Sequence, residues 1–317
     1  MRFRTEISLT PLAEGIDHSA KIFALGSCFA ESISERLQKA KFSVTTNPFG
    51  VLFNPLSIAR AIERLADTRA FAVCDIREGK EGFFSFDAHS SLDGKTQTEI
   101  FANLNQAVAQ GSKALHDAEW VILTFGTAWV YEREGKVVAN CHKQPAKEFE
   151  RRRLSVAEIV ERYKTLFDGV LRDKKVVLTV SPVRHLGDGL QENSLSKAIL
   201  RLAAEQLCEQ FDNAHYFPSY EILIDDLRDY RYYADDLAHP SKMAVEYVWE
   251  RFCEYALTDK ARELLPQIEQ IVSAAEHRPF NPTSEEHRAF CRKMLAKAEA
   301  LSEIDFTNEK CIFERYL

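Results

Sequence analysis

Three short, unbroken apolar runs constrain this chain more than any other feature: KIFAL at 21–25, WVILTF at 120–125 and KVVLTV at 175–180. None alternates apolar with polar residues, so none can keep one face in water. They are too short for buried helices, and the last two are rich in β-branched residues, which suits strands covered on both faces, as in a parallel sheet. Amphipathic segments lie between them, at 30–41, 56–66, 98–117, 155–171 and 193–211, with a further short strand expected at 215–217. Strand and helix in alternation predict an α/β sandwich with a mainly parallel core. From residue 245 the pattern turns helical, clearest over 259–275 and 284–301, with HRPFNP (277–282) as a break. Two units are expected: residues 1–258, and a C-terminal helical extension, 259–317, that is a candidate oligomer contact.

Two hairpins are expected as insertions. EGFFSFDAHSSL (81–92) alternates aromatics at Phe84 and Phe86, and WVYEREGKVV (129–138) turns at Glu134 and Gly135. Either could overhang one edge of the sheet. Arg151, Arg152 and Arg153 follow Glu148 and Glu150 and read as the solvated start of a helix.

The formal net charge of −7, with no basic stripe, argues against a nucleic-acid partner. The 7 cysteines are odd in number and scattered, with no CxxC pair, which fits neither a zinc site nor a disulfide framework. No His, Cys and acid cluster has metal-ligand spacing, and no GxGxxG or P-loop follows a strand. The N-terminus has no apolar core of a secretory signal, and no apolar run approaches a membrane span. The expectation is a reduced cytoplasmic protein, off the membrane, without metal or organic cofactor, and of open oligomeric state.

In open α/β sheets ligands bind beyond the carboxyl ends of the strands. Gly26-Ser27-Cys28 follows the first run, Gly126-Thr127-Ala128 the second, and Ser181-Pro182-Val183-Arg184-His185 the third. Ser27, between strand and helix, has two readings. It can cap the helix, although Ala30 stands where a capping box wants Glu or Gln. It can instead aim its hydroxyl out of the sheet edge, over helix N–H groups that favour an anion. A nucleophile needs a base and the base an orienting acid. DDLAHP (235–240) offers His239 with Asp236 three residues before it and Asp235 as the neighbouring alternative; two solvated acids ahead of a helix would look the same. Cys28 sits where a helix start lowers a thiol pKa, but a small packed cysteine is the simpler reading.

The block GSCFA (26–30) resembles the signature of the GSCFA-domain family, grouped with the SGNH, or GDSL-like, esterases and acyltransferases. The resemblance extends through NPFGVLFNPLSI (47–58), LTFGTAWVY (123–131), NCHK (140–143), SPVRHLGDGL (181–190) and DDLAHPSK (235–242). It implies a flavodoxin-like, three-layer α/β/α sandwich of SGNH type, with Ser27 as nucleophile, His239 as base and Asp236 as its partner. It also implies an oxyanion hole from the backbone N–H groups of Ser27 and Gly50. The asparagine that such enzymes carry in a Gly-x-Asn-Asp block is missing: this chain has Gly126-Thr127-Ala128-Trp129. Thr127 or Asn140 could supply the third donor, as could Asn47 or Asn54, though Asn54 before Pro55 reads as a helix cap. His89, His142, Arg184 and His185 are candidate substrate-binding residues, and each could equally be satisfied within a loop. The expected function is a serine-dependent esterase or O-acyltransferase acting on a small acyl ester, with a carbohydrate as one candidate alcohol. The alternative is a degenerate scaffold that binds a glycan or a protein without chemistry.

Overall fold

The structure is a computed structural model that describes residues 4–317. In chain order the first elements are β1 (Lys21–Gly26), α1 (Cys28–Lys39), β2 (Ser43–Thr46), α2 (Pro55–Ala66), β3 (Arg77–Gly79), β4 (Gly82–Phe84) and α3 (Gln97–Asp117). Next come β5 (Trp120–Phe125), β6 (Trp129–Arg133), β7 (Lys136–Val138), β8 (Glu150–Arg153), α4 (Val156–Asp168), β9 (Lys175–Val180) and α5 (Leu190–Gln210). The last are β10 (Ala214–Phe217), α6 (Ser219–Glu221), α7 (Lys242–Ala256), α8 (Asp259–Glu276), α9 (Glu285–Ala300) and α10 (Thr307–Glu314).

The three apolar runs are neighbours in a five-stranded sheet of order β2-β1-β5-β9-β10, all parallel. Chain direction across the sheet reverses between β1 and β5, so the crevice beyond their carboxyl ends is the topological switch point, the expected place for a ligand. Successive strand residues serve opposite faces. Phe23, Leu25, Leu123, Phe125, Leu178 and Val180 pack with α2–α5, whereas Ile22, Ala24, Ile122 and Val177 meet α1 and α7. The arrangement is that of a flavodoxin-like α/β/α sandwich.

After α7 the chain is helical. Ile268, Ile271, Cys291, Met294, Phe306 and Phe313 of α8–α10 and their connections build a separate apolar cluster. A half-buried ion pair, Lys41 to Glu309 at 2.6 Å, ties this part to the segment that follows α1. Among the described residues no helix is long and apolar enough to cross a membrane.

Two local expectations are corrected. The arginine run is strand β8, which completes a three-stranded antiparallel sheet with β7 and β6. Its charges are held by cross-strand and loop partners: Arg151 and Arg153 lie over the Trp129 ring, while Arg152 reaches Glu132. The first hairpin lies earlier than expected, in β3 and β4, and residues 85–92 run on as turns and a 3₁₀ segment. The second hairpin forms as expected, β6 to β7.

Candidate functional site

The sheet ends sharply at Gly26. Its φ of +147 favours glycine, and a Cβ there would overlap the Thr124 carbonyl. Asn47, after β2, holds the bend: its Oδ1 accepts the Gly26 N–H at 2.9 Å, and its Nδ2 reaches Glu31. Asn47 is therefore committed to shaping the turn. Ser27 follows with the extended backbone of a helix N-cap, φ −69 and ψ 173, yet its side chain makes no capping bond. It is 1% exposed, and its Oγ has no hydrogen-bond partner. A capping role would have satisfied that hydroxyl; a buried, unpaired one costs about 1–3 kcal/mol. The capping reading fails.

Asp236 and His239 are paired within one turn. Asp236 Oδ2 meets His239 Nδ1 at 2.6 Å, while its Oδ1 accepts the N–H groups of Ala238 and His239, both at 2.9 Å. These two amides, His239 first, and then the imidazole hold the Asp236 carboxyl at about 2. Asp236, rather than Asp235, makes these bonds. Leu237 completes the turn with φ +56, and the Ala234 N–H donates to the His239 carbonyl at 2.8 Å. With Nδ1 bound to the carboxylate, Nε2 is the remaining nitrogen of a half-exposed ring.

The exits of β5 and β9 link serine and histidine. Gly126 lies against Ser27, a Cβ placed on it coming 3.3 Å from Ser27 Cβ. The His185 ring is edge-on to Phe53, at 6.0 Å between centroids, and faces the Gly126 carbonyl. Burial first, then the charge of Lys197 and more weakly that of His239, pulls the His185 imidazole down to about 4. It is neutral at pH 7. The Arg184 N–H donates to the Ala238 carbonyl at 3.0 Å, and its guanidinium stacks 3.8 Å over the Tyr233 ring, clasping the histidine turn to the β9 exit. Ser27, Gly126, His185, Arg184 and His239 thus share one edge, at the switch point. Ser27 Oγ and His239 are not hydrogen-bonded.

Residues on α5 that the sequence reading missed bracket these exits. Asn193 Oδ1 accepts the His185 N–H at 3.0 Å; Ser196 Oγ accepts the Ala128 N–H at 2.7 Å and meets Thr127 Oγ1 at 3.2 Å. Lys197, 1% exposed, donates to the carbonyls of Gly126 at 2.7 Å and Ser181 at 2.6 Å. The spacing i, i+3, i+4 puts all three on one helix face. The available signal was a polar NSLSK cluster (193–197) inside an otherwise apolar periodicity.

Several expected roles change. The backbone N–H groups expected at an oxyanion are already engaged, Ser27 with Thr124 O at 3.2 Å and Gly50 with Asn47 O at 2.7 Å, as are both donors of Thr127, its N–H with Phe53 O at 3.0 Å and its hydroxyl with Ser196 Oγ at 3.2 Å. Asn54 caps α2 by accepting the Ser57 N–H, with Pro55 at the first helical position, as its sequence predicts. Asn140 uses its side-chain oxygen on the His142 N–H. His142 is not available to a substrate, because its buried ring stacks on Phe84 and has Asp93 at one nitrogen and the Ser85 and Ala88 carbonyls at the other. His89 packs where a Gly50 side chain would stand, so it borders the Gly50 loop while its ring nitrogen caps Ser91. Burial raises the Cys28 thiol pKa, against the lowering expected at a helix start, so Cys28 is a packed thiol.

A model described as the GSCFA family matches residues 21–252, and one described as the GSCFA domain protein, C-terminal domain, matches residues 268–317. A search of the curated proteins found no match. Among solved structures the chain is similar to a Clostridium thermocellum family 3 carbohydrate esterase, at 12% identity and a TM-score of 0.35, covering 78% of this chain and 98% of that one. That likeness is too loose for activity or site to be read across.

Proposed function

The chain belongs to the GSCFA family, and we propose that it is a serine-dependent esterase or O-acyltransferase of SGNH type acting on a small acyl ester, with a carbohydrate as the candidate alcohol. One observation carries the reading. A buried serine hydroxyl that neither caps its helix nor finds any partner stands at the switch point, on the sheet edge that carries the Asp236–His239 pair. The carbohydrate rests on superfamily analogy alone.

In the proposed reaction His239 Nε2 takes the Ser27 proton as Oγ bonds to the ester carbonyl carbon. Asp236 fixes the imidazole tautomer and stabilises the imidazolium. The tetrahedral intermediate collapses to acyl-Ser27, and His239 returns the proton to the departing alcohol. Water or a second hydroxyl then takes the acyl group by the same steps in reverse. Of the three candidate amides, that of Ser27 is least committed, at 3.2 Å, and is assigned to the oxyanion; Gly50 and Thr127 must first leave their carbonyls. Arg184 and His185 would line the alcohol side.

The test is covalent labelling with a fluorophosphonate, read by intact mass and peptide mapping. A single adduct on Ser27, lost in Ser27→Ala and strongly slowed in His239→Ala, is expected. No adduct on the wild type, under conditions that label a known serine esterase, refutes the reading. The engaged amides and the missing asparagine favour a second one, a scaffold that binds a glycan or protein without chemistry, and that outcome would support it.

A further inference from the structure

Lys197 is unusual in two respects. It is among the largest fully buried side chains, and among the described residues no carboxylate charge acts on it, only the Cys28 thiol. A buried ammonium without a counter-ion is costly unless hydrogen bonds or a transient negative charge compensate it. Two backbone carbonyls do part of this, and both belong to strand exits at the candidate site. The groups facing it are Cys28 from α1, His185 from the β9 exit, and the Tyr220 ring of α6 at 5.8 Å. His239 in turn faces His185. None of the three groups facing it is an anion at neutral pH, since burial raises the Cys28 thiol and the Tyr220 phenol and lowers the His185 imidazole, so nothing nearby neutralises the ammonium. Burial pulls it down to about 7, which leaves it able to respond to a neighbouring anion.

We propose that Lys197 is a positioning residue for the chemistry at Ser27. Its buried ammonium grips the Gly126 and Ser181 carbonyls and, through the Gly126–Thr127 peptide that abuts Ser27, stabilises negative charge there in place of the asparagine N–H donor that this chain lacks. In the resting protein the ammonium has these two carbonyls but no counter-ion. When Ser27 is acylated the tetrahedral oxyanion becomes its counter-ion, so the attraction is greatest in the transition state. The inference rests on the serine-esterase reading.

The experiment uses the full chain and the variants Lys197→Gln, Lys197→Met and Ser27→Ala. Gln can still donate to carbonyls but carries no charge. Folding is verified by circular dichroism and melting, and the rate of fluorophosphonate labelling at Ser27 is followed from pH 5.5 to 9.5. Both Lys197 variants are expected to label about 10²-fold more slowly at pH 7, the loss typical of one oxyanion-hole donor. With p-nitrophenyl acetate the loss should fall on kcat, with KM little changed. Wild-type labelling should decline above about pH 7 as the ammonium loses its proton, and that decline should be absent in Lys197→Gln. A lysine that only supports the fold would lower Tm while leaving labelling of the folded variants and their pH profile as in the wild type; that result overturns the inference and leaves the esterase reading intact. A wild type that takes no label refutes both. Should neither variant fold, the wild-type profile decides: a rate that climbs steadily to pH 9.5 overturns the proposal.

Discussion

Lys197→Met should change how stability depends on pH, in a direction fixed by the structure. A lysine in the unfolded chain titrates near about 10.4, and burial brings Lys197 down to about 7 in the folded protein. Between these values the folded chain binds fewer protons than the unfolded one, so this group's contribution to stability rises with pH; it is fully present above the unfolded value and lost as pH falls through the folded one. With those two values, about 1.6 kcal/mol is recovered between pH 7 and pH 8.5. Burial also raises Cys28, Cys208 and Cys253, which lowers stability as thiols of the unfolded chain ionise near the top of that window. Subtracting the Lys197→Met curve cancels those terms. Urea unfolding of both proteins across this range, at constant ionic strength, should show the stability of Met relative to Lys shrinking by about 1.6 kcal/mol as pH rises. A difference constant with pH would mean that Lys197 keeps an ordinary pKa and that its burial carries no electrostatic penalty, which would refute the argument.

Asp236→Asn should slow labelling of Ser27 by about 10⁴-fold, the loss found when a triad acid becomes an amide that favours the wrong tautomer, with Tm little altered because the side chain is half exposed. Gly50→Ala must take a side chain at φ +72 and push it into His89 Cβ; a loss of about 1–3 kcal/mol in urea unfolding is expected. Asn193→Ala leaves the His185 N–H without its acceptor, so a loss of about 1–3 kcal/mol and slower labelling should appear together. An Asn193→Ala protein with normal stability would show that water replaces the bond.

The parts of this molecule written in local pattern were legible in advance. β1, β5 and β9 are unbroken apolar runs, and a strand buried on both faces has little else it can be. Asp236 and His239 are three residues apart and close their own turn, so their pairing needs no distant chain. β2 was invisible because SVTT is short and half-buried at the edge of the sheet. β8 was misread because Arg151 and Arg153 find partners, Trp129 among them, that only tertiary structure delivers. Lys197 hid for a related reason: a lysine in an amphipathic helix is ordinarily at the surface. The donors expected at an oxyanion were not legible, since a backbone N–H reveals its partner only when the chain around it is folded.

Ser27 opens α1, and the turn holding Asp236 and His239 leads into α7 through the Ser241 cap. Those helices pack together on one side of the sheet, with Phe29, Ile33, Val248 and Phe252 in common contact and Arg36 reaching Glu246 at 2.5 Å. The bracket of Asn193, Ser196 and Lys197 belongs to α5, which packs on the other side. The proposed reacting pair and its proposed electrostatic support are therefore mounted on helices of opposite layers and meet only at the strand exits, where Lys197 faces Cys28. On that proposal, substitutions in the α5 layer would retune the charge near Ser27 while leaving α1 and α7, which flank Ser27 and His239, in place. Such a division would let descendants of this fold change what the site stabilises while keeping what reacts.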